Sequence, residues 1–361
     1  WVNKLLGNKL EVGPRSAGSI PGPACFNLGG TEPTVTDADV VLGYVNPNFF
    51  YGGRMKLNRD RAVRVIKEKI ADPMGISVPE AASLIRKIVE NNMASAIRKE
   101  VHLRGYSPSE FVLFAFGGAG PTHVAGYKTD IPQAIIFPLS PVFCALGSSV
   151  MDIVHVYELS KRMILMEPIT QKLTTDYDTF NTAVETLIEK ARTDLRGEGL
   201  PVDKAVFSLE LDMMYGGQIQ VKRTSSPRLF IMSKDDVKTV YDEFEREFSE
   251  AFSPLVVNPS GGVYLDNFVL KATILTEKRP QPTFDLEGRD PSRAIKEERQ
   301  AYWDDRRDFV ATDVYSFDLL RPGNIVEGPA VIEAEYTTTV VPPGLQFSVN
   351  EHGLGVMEEV G

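Results

Sequence analysis

The chain has 361 residues, of which 43% are hydrophobic and 24% are charged, and its formal net charge at pH 7 is −10. These fractions are typical of a soluble globular protein of about two domains and exclude a disordered or fibrous chain. The acidic balance argues against nucleic-acid binding and a polybasic membrane anchor, and no apolar run approaches the ~20 residues that span a bilayer.

The first segment with a distinctive composition is the Gly- and Pro-rich stretch Gly13–Gly30, which predicts a loop. Ser16 and Gly18 in this loop are candidate donors to a phosphate, although a plain surface loop explains the same composition. Asp37 is predicted as the N-cap of a short helix over residues 38–42. With Asp39, it is also a candidate for holding Mg²⁺ or orienting a water, the alternative being a capping role.

Two helices are predicted next, over Arg59–Ala71 and Val78–Arg98. In the second, apolar residues recur every four positions and form one stripe: Ile85, Val89, Met93 and Ile97. Ser77 is its predicted N-cap, and Pro79 and Glu80 suit its first turn.

The sharpest local pattern is a strand, a glycine turn, a helix and a second strand. The apolar run Phe111–Phe116 predicts a buried strand, and Gly117-Gly118-Ala119-Gly120-Pro121 follows it directly. A helix over Thr122–Lys128 and a strand over Ala134–Pro138 complete one α/β unit, for which a parallel sheet is expected.

The glycine turn is the best candidate site in the sequence. Glycines after a strand let the backbone approach a flat or anionic ligand, and the following helix N-terminus supplies free N–H groups and a positive dipole. We therefore take Gly117, Gly118, Ala119 and Gly120 as ligand-binding candidates, with His123 close enough to reach the same ligand. The turn is neither a dinucleotide fingerprint nor a Walker loop, and a tight connection without a ligand is the alternative.

The remainder of the chain predicts a mixed α and β region followed by a β-rich tail. The predicted elements are a helix over Thr170–Arg196, strands over Ala205–Met214 and Gln218–Arg223, a helix over Ser233–Ala251, a strand over Val263–Thr276, a linker over Pro280–Asp290, and strands over Val331–Glu335, Thr337–Val341 and Gln346–Val349.

The rarer residue types exclude several kinds of active site. Cys25 and Cys144 are too few for a disulfide framework or a Cys-rich zinc site, so we expect two buried thiols and a reducing cytoplasm. The four histidines form no HxxxH or HExxH pair, and there is no GxSxG elbow. Because the chain begins at Trp1 rather than Met, we interpret it as part of a longer or processed polypeptide.

Three blocks together resemble a known family, the hydantoinase A/oxoprolinase family. They are GPRSAGSIPGPACFNLGGTEPTVTDADVVLG (13–43), NNMASAIR (91–98) and FGGAGPTH (116–123). Residues 140–152, 210–218 and 328–343 are most similar to its acetone carboxylase branch, with acetophenone carboxylase as a close relative. Phe26 and Thr122 depart from the residues common at their positions, and neither change removes a charged or glycine position.

The resemblance implies an α/β fold with three consecutive domains. Residues 1–157 would be the C-terminal portion of an ATP-binding ribonuclease-H-like domain of the acetate and sugar kinase/actin superfamily. Residues 158–285 would form an α+β domain, and residues 286–361 a β-rich C-terminal domain. The glycine turn would line the adenosine side of an ATP site, and Asp37 would have a catalytic role in the cleft.

The resemblance also implies a reaction and partners. Bicarbonate and a ketone would be activated by phosphorylation with ATP and Mg²⁺. The carbon–carbon bond would form at a metal in a hydantoinase-B-like subunit, and a small third subunit would complete the complex. The family's phosphate motifs are absent from this sequence, so the N-terminal half of the same subunit is a further expected partner. An ATP-dependent ring-opening amidohydrolase and a non-catalytic docking module are the alternatives.

Overall fold

The structure is a computed structural model that describes residues 1–3, 9–278 and 280–360. The chain forms two compact units. The first unit comprises Trp1–Gly147 and Pro280–Gly361, and the second comprises Ser148–Arg279. Among the described residues, no helix combines the length and the apolar character that crossing a bilayer requires.

The helices of the first unit begin at local signals in the sequence. They are α1 (Val35–Val41), α2 (Arg59–Ile66), which continues through a π-helical turn (Lys67–Ala71) into α3 (Asp72–Met74), α4 (Val78–Leu103), α5 (Gly120–Tyr127) and α6 (Phe143–Val150). The last three residues of α6 belong to the second unit. The predicted cap of α4 is confirmed, because Ser77 and Glu80 form a reciprocal capping box. The N-cap predicted for α1 is wrong: Thr34 caps it, and Asp37 is the third helical residue.

The described strands of the first unit form three sheets. Their bounds are β1 (Val2–Asn3), β2 (Lys9–Leu10), β3 (Val112–Ala115), β4 (Gln133–Ile136), β9 (Ile295–Trp303), β10 (Asp308–Ser316), β11 (Ile325–Glu327), β12 (Ala330–Glu333), β13 (Thr338–Val341), β14 (Leu345–Val349) and β15 (Gly355–Glu359). The strand orders are β11-β14-β15-β4-β3, β13-β12-β10-β9 and β1-β2. Buried residues of α1, α2 and α4 share one core with β9, β10, β12 and β13.

The predicted strand–turn–helix–strand unit is confirmed, since β3 and β4 pair in parallel on either side of α5. The prediction that the first strand is buried is wrong. Within β3 only Ala115 is buried, and Phe114 is 56% exposed. The physical reason is position: β3 is the edge strand of its sheet, and an apolar run reveals a preference for burial but not whether a neighbour covers it.

The contacts divide the chain into two units, rather than into the three consecutive domains 1–157, 158–285 and 286–361 that the resemblance implies. β15, near the end of the chain, pairs with β4 in register, with Gly355 opposite Ile136. The residues after 286 therefore complete a sheet that begins in the first third of the chain. Strand patterns predict where strands are but carry no information about which distant strand they will pair with.

The second unit is an antiparallel sheet with two helices. Its elements are β5 (Ile153–Met166), α7 (Tyr177–Gly197), β6 (Ala205–Tyr215), β7 (Lys222–Ser226), α8 (Lys234–Ala251) and β8 (Val263–Ile274), and the strand order is β5-β8-β6-β7. Buried residues of both helices and of the strands form one core. The long strand β5 was not predicted, and α7 begins at Tyr177, directly after its N-cap Asp176, rather than at residue 170.

Candidate functional site

The glycine turn between β3 and α5 is held in place from two sides. Gly117 has a φ of +88°, a conformation that L side chains rarely adopt. Its N–H donates to the carbonyl oxygen of Ser140 at 2.8 Å, and the Ser140 hydroxyl donates to the carbonyl oxygen of Gly117 at 3.0 Å. The Thr337 hydroxyl donates to the carbonyl oxygen of Gly118 at 2.8 Å. The turn is thus fixed through the N–H of Gly117 and the carbonyl oxygens of Gly117 and Gly118.

The opposite edge of the turn is open. Gly118 and Ala119 are exposed, and in the described part of the chain their N–H groups donate to no protein acceptor. A Cβ added at Gly118 would have its nearest neighbour, the carbonyl oxygen of Tyr336, at 3.7 Å. These N–H groups stand at the N-terminal end of α5, where the helix dipole favours negative charge. The arrangement suits a flat or anionic ligand that approaches the backbone closely.

An aromatic and cationic group flanks the turn and was missed at the sequence level. Tyr336 precedes Thr337, and its ring lies edge-on to Tyr51 with centroids 5.2 Å apart. Arg54 donates to the Tyr336 hydroxyl at 2.9 Å and lies 2.8 Å from the Glu335 carboxylate. Nothing in the sequence distinguishes these exposed tyrosines from others, because 285 residues separate Tyr51 from Tyr336 and only the fold brings them together.

His123 lies behind the turn rather than on its open edge. Its ring is buried, with Nε2 3.2 Å from an Asp39 carboxylate oxygen and Nδ1 3.1 Å from Glu90 Oε1. Both ring nitrogens are therefore occupied by protein carboxylates. In this arrangement His123 supports α5 from within and presents no free nitrogen to a ligand.

A buried ionic network surrounds His123 and joins three helices. Arg86 of α4 lies 2.8 Å from Asp39 of α1 and 2.8 Å from Glu90, and it also donates to the carbonyl oxygen of Thr122 in α5. Its guanidinium lies 4.7 Å from the centroid of the Tyr44 ring. Within this group the two carboxylates balance Arg86 and a protonated His123. The i, i+4 spacing of Arg86 and Glu90 was the one signal in the sequence that pointed to this network.

The network determines the charge state of its members. Burial disfavours the charged form of His123, but the carboxylates of Asp39 and Glu90 outweigh it, so the pKa of His123 is raised. Burial alone would raise the pKa of Asp39, but His123 and Arg86 hold that pKa below its usual range.

A pH dependence of stability follows from the raised pKa of His123. The unfolded histidine titrates near pH 6.5, so its contribution to stability is fully present below about pH 6.5 and is lost as the pH rises through the folded pKa. We expect His123→Asn to remove this decline in the free energy of unfolding, measured by urea denaturation between about pH 6 and 9. The exposed histidine of the same unit provides a control, since His102→Asn should keep the decline. An unchanged decline in His123→Asn would contradict the assignment.

The carboxylate of Asp37 is completely buried and accepts four hydrogen bonds. Two come from the backbone N–H groups of Ala24 and Cys25, at 3.2 and 2.7 Å. The other two come from the N–H and hydroxyl of Thr34, at 2.9 and 2.8 Å. Asp37 thus ties the end of the Gly13–Gly30 loop to the first turn of α1.

Two further predicted positions, Ser16 and Gly18, belong to the Gly13–Gly30 loop. Ser16 and Gly18 are exposed, and the Gly18 N–H donates to the Ser16 hydroxyl at 3.1 Å. In the described residues no hydrogen bond joins either of them to the turn.

Cys25 is buried, as predicted, whereas Cys144 is exposed, so that part of the cysteine prediction is wrong. The residues that the structure describes contain no group of three or more His, Cys, Asp or Glu side chains able to hold a metal ion.

Two protein-family models match consecutive parts of the chain. Residues 2–157 match the family described as hydantoinase/oxoprolinase, and residues 169–360 match the hydantoinase/oxoprolinase C-terminal domain. The glycine turn and the buried network lie in the first match, and Tyr336 and Thr337 lie in the second.

Three characterised relatives match nearly the whole chain. The acetophenone carboxylase gamma subunit of Aromatoleum aromaticum is 61% identical over 98% of this chain and 48% of its own length. The acetone carboxylase beta subunit of Xanthobacter autotrophicus is 31% identical over 97% of this chain and 49% of its own. The caprolactamase alpha subunit of Pseudomonas jessenii is 32% identical over 94% and 48%. The chain spans about half the length of these relatives.

Two solved structures share the mixed α/β fold. A nucleotide-free acetone carboxylase superposes with a TM-score of 0.82 at 30% identity, covering 98% of this chain and 50% of that one. The ATP-dependent caprolactamase of Pseudomonas jessenii superposes with a TM-score of 0.79 at 31% identity and the same coverages.

Proposed function

Because the chain belongs to the hydantoinase/oxoprolinase family, we propose that it is part of the ATP-binding subunit of an ATP-dependent ketone carboxylase. The observation that carries this proposal is the 61% identity to an acetophenone carboxylase subunit, about twice the identity to the acetone carboxylase and caprolactamase subunits. The same difference favours an aromatic ketone as the substrate over acetone.

We place the nucleotide at the open edge of the glycine turn. Gly117, Gly118, Ala119 and Gly120 would contact the adenosine side, where exposed N–H groups and the absence of a Cβ at Gly118 leave room for ligand atoms. Tyr336 and Arg54 offer a ring face and a cation beside it. In this proposal β3, α5 and β4 belong to a ribonuclease-H-like half-domain.

ATP would supply the phosphoryl groups that activate bicarbonate and the ketone. We propose that Mg²⁺ arrives with the ATP phosphates, since this cation needs few protein carboxylates and keeps several waters. The Ser16–Gly22 loop would face the phosphate side. The hydrogen bonds that Asp37 accepts from Ala24 and Cys25 support a positioning role, in which it holds the backbone just after that loop.

The carbon–carbon bond would form elsewhere in the complex. We propose a hydantoinase-B-like subunit as the holder of the bond-forming metal, with a small third subunit. The polypeptide that corresponds to the rest of the ATP-binding subunit would provide the phosphate motifs that this sequence lacks. The isolated chain is accordingly expected to be inactive.

An ATP-dependent ring-opening amidohydrolase is the second candidate, supported by the TM-score of 0.79 with the caprolactamase. The two reactions differ in the co-substrate that stimulates ATP hydrolysis. In the complete complex we expect phosphate release to require acetophenone together with bicarbonate. Phosphate release that caprolactam or a hydantoin stimulates without bicarbonate would favour the amidohydrolase, and release with none of these compounds would favour a docking role for the chain.

The nucleotide position is tested at Gly118, where the backbone tolerates a side chain. Its φ is not positive, and a Cβ would meet only an ordinary contact at 3.7 Å. We expect Gly118→Val to fold and assemble normally. Its side chain would occupy ligand space, weakening an ATP analogue by about 10- to 100-fold, the equivalent of about 1–3 kcal/mol of overpacking.

Calorimetric titration of the complete complex would measure this loss of affinity. Gly197→Val is a matched control, because Gly197 also has open space around its Cβ position and lies in the second unit. Wild-type affinity in Gly118→Val would show that the nucleotide does not lie against this turn.

A further inference from the structure

Helix α6, which begins in the first unit, is apolar but has no buried residue. Its sequence is Phe-Cys-Ala-Leu-Gly-Ser-Ser-Val, without a charged side chain. A helix that is apolar on most of its surface is normally packed into a core, because exposing it to water forgoes the free energy of burial. Its exposure indicates a surface that another element covers.

The edge strand β3 likewise exposes apolar side chains. Val112 and Phe114 alternate onto one face and are 50% and 56% exposed, and Phe116 continues that alternation at 42% exposed. Leu113 and Ala115, which point the other way, are half-buried and buried. The outward-facing side of β3 is thus the apolar side, the reverse of an ordinary surface strand.

Ring contacts join these two elements into one surface. Phe114 and Phe137 lie 5.2 Å apart between centroids, Phe137 stacks on Phe143 at 4.0 Å, and Phe143 lies 5.2 Å from Phe116. We call this surface the aromatic face and define it as Val112, Phe114, Phe116, Phe137 and Phe143.

The aromatic face lacks the devices that keep exposed sheet edges from pairing. Natural edge strands are usually protected by charged side chains, by proline or by a covering element. Residues 111–116 and 131–151 contain no Asp, Glu, Lys or Arg, although 24% of the whole chain is charged. Among the described strands none pairs with the free edge of β3. An uncharged aromatic surface at an open sheet edge fits an apolar protein surface and no polar ligand.

The relatives indicate what covers this surface. The acetone carboxylase chain superposes on 98% of this chain yet contains about as much polypeptide again outside the match, and the caprolactamase chain does the same. We propose that the aromatic face packs against the polypeptide segment that corresponds to the unmatched half of these relatives. This inference uses only exposure, charge and chain length, so it does not depend on ATP binding.

Co-expression tests the proposal without requiring either piece to fold alone. The affinity-tagged chain is produced together with the unmatched half of the Aromatoleum aromaticum acetophenone carboxylase gamma subunit, and the partner that co-purifies is quantified. We expect a 1:1 complex with the wild-type chain. Val112→Glu and Phe114→Glu should each reduce recovery by about tenfold or more, because a carboxylate would be buried without a partner.

Val206→Glu is the matched control, since Val206 is 55% exposed on a strand of the second unit. It should recover the partner at the wild-type level. Circular dichroism of all three variants should match the wild type, because the replaced side chains are half-exposed.

Three results would overturn the proposal. The first is that the wild-type chain recovers no partner, and the second is that the two aromatic-face variants recover the partner as well as the wild type does. The third is that light scattering shows a dimer of the chain alone which Phe114→Glu returns to a monomer, because a second copy would then be the occupant. None of these readouts involves ATP, so the proposed function stands or falls separately.

Discussion

Replacing Arg86 with leucine is expected to lower the free energy of unfolding by about 3–5 kcal/mol, the usual cost of removing one partner from a buried ion pair. Arg86 contacts both Asp39 and Glu90, and it also donates to the carbonyl oxygen of Thr122. Without it, the buried carboxylate of Asp39 and the largely buried carboxylate of Glu90 would be left with His123 alone, and leucine offers no donor. Denaturant unfolding of the wild type and the variant at constant pH measures the difference.

The C-terminal end of the same helix offers a matched control, because Arg104 is its C-cap. Arg104 pairs with Glu100 four residues earlier, but both side chains are more than 60% exposed, and exposed pairs of this kind contribute little. Arg104→Leu should therefore leave the free energy of unfolding almost unchanged. If Arg86→Leu also left the free energy of unfolding unchanged, the network would not be a stabilising element of the first unit.

Asp37→Asn is expected to lower the free energy of unfolding by about 3 kcal/mol. Both oxygens of the Asp37 carboxylate accept hydrogen bonds, Oδ1 from Cys25 and Oδ2 from Ala24 and Thr34. An amide has one acceptor oxygen, so in either orientation its NH₂ group would face at least one backbone N–H. A buried donor would lose its partner, and the Gly13–Gly30 loop would detach from α1.

Glu80→Gln provides the comparison for this prediction. Glu80 occupies the same third position in the capping box of α4, but it is fully exposed to solvent, so water replaces what the amide cannot accept. We expect a much smaller effect. Phosphate release by the complete complex adds a second readout: normal unfolding with lost turnover in Asp37→Asn would indicate a catalytic rather than a positioning role.

Local patterns in the sequence predicted local structure well. The Ser77–Glu80 capping box and the strand–turn–helix order around Gly117 are confirmed, because each depends on residues within a few positions of one another. The family resemblance is also confirmed, since it rested on long blocks in the expected order.

Features that depend on distant contacts were not predictable. The burial of Phe114 depends on whether another surface covers β3, and the position of His123 depends on Asp39 and Glu90, which belong to two other helices. For the same reason the sequence placed His123 next to a ligand, although its ring faces the interior. The flanking group of Tyr51, Arg54 and Tyr336 could only be recognised once the fold had brought the end of the chain to the glycine turn.

The pairing of β15 with β4 has a consequence for the order in which the protein folds on the ribosome. The second unit, Ser148–Arg279, is continuous in sequence and can fold as soon as it has emerged. The first unit cannot, because β15 lies between β4 and β14 in its five-stranded sheet and is translated only after the whole second unit. Until then β4 lacks its neighbour β15, and the nascent chain is at its greatest risk of aggregation while the second unit is already formed.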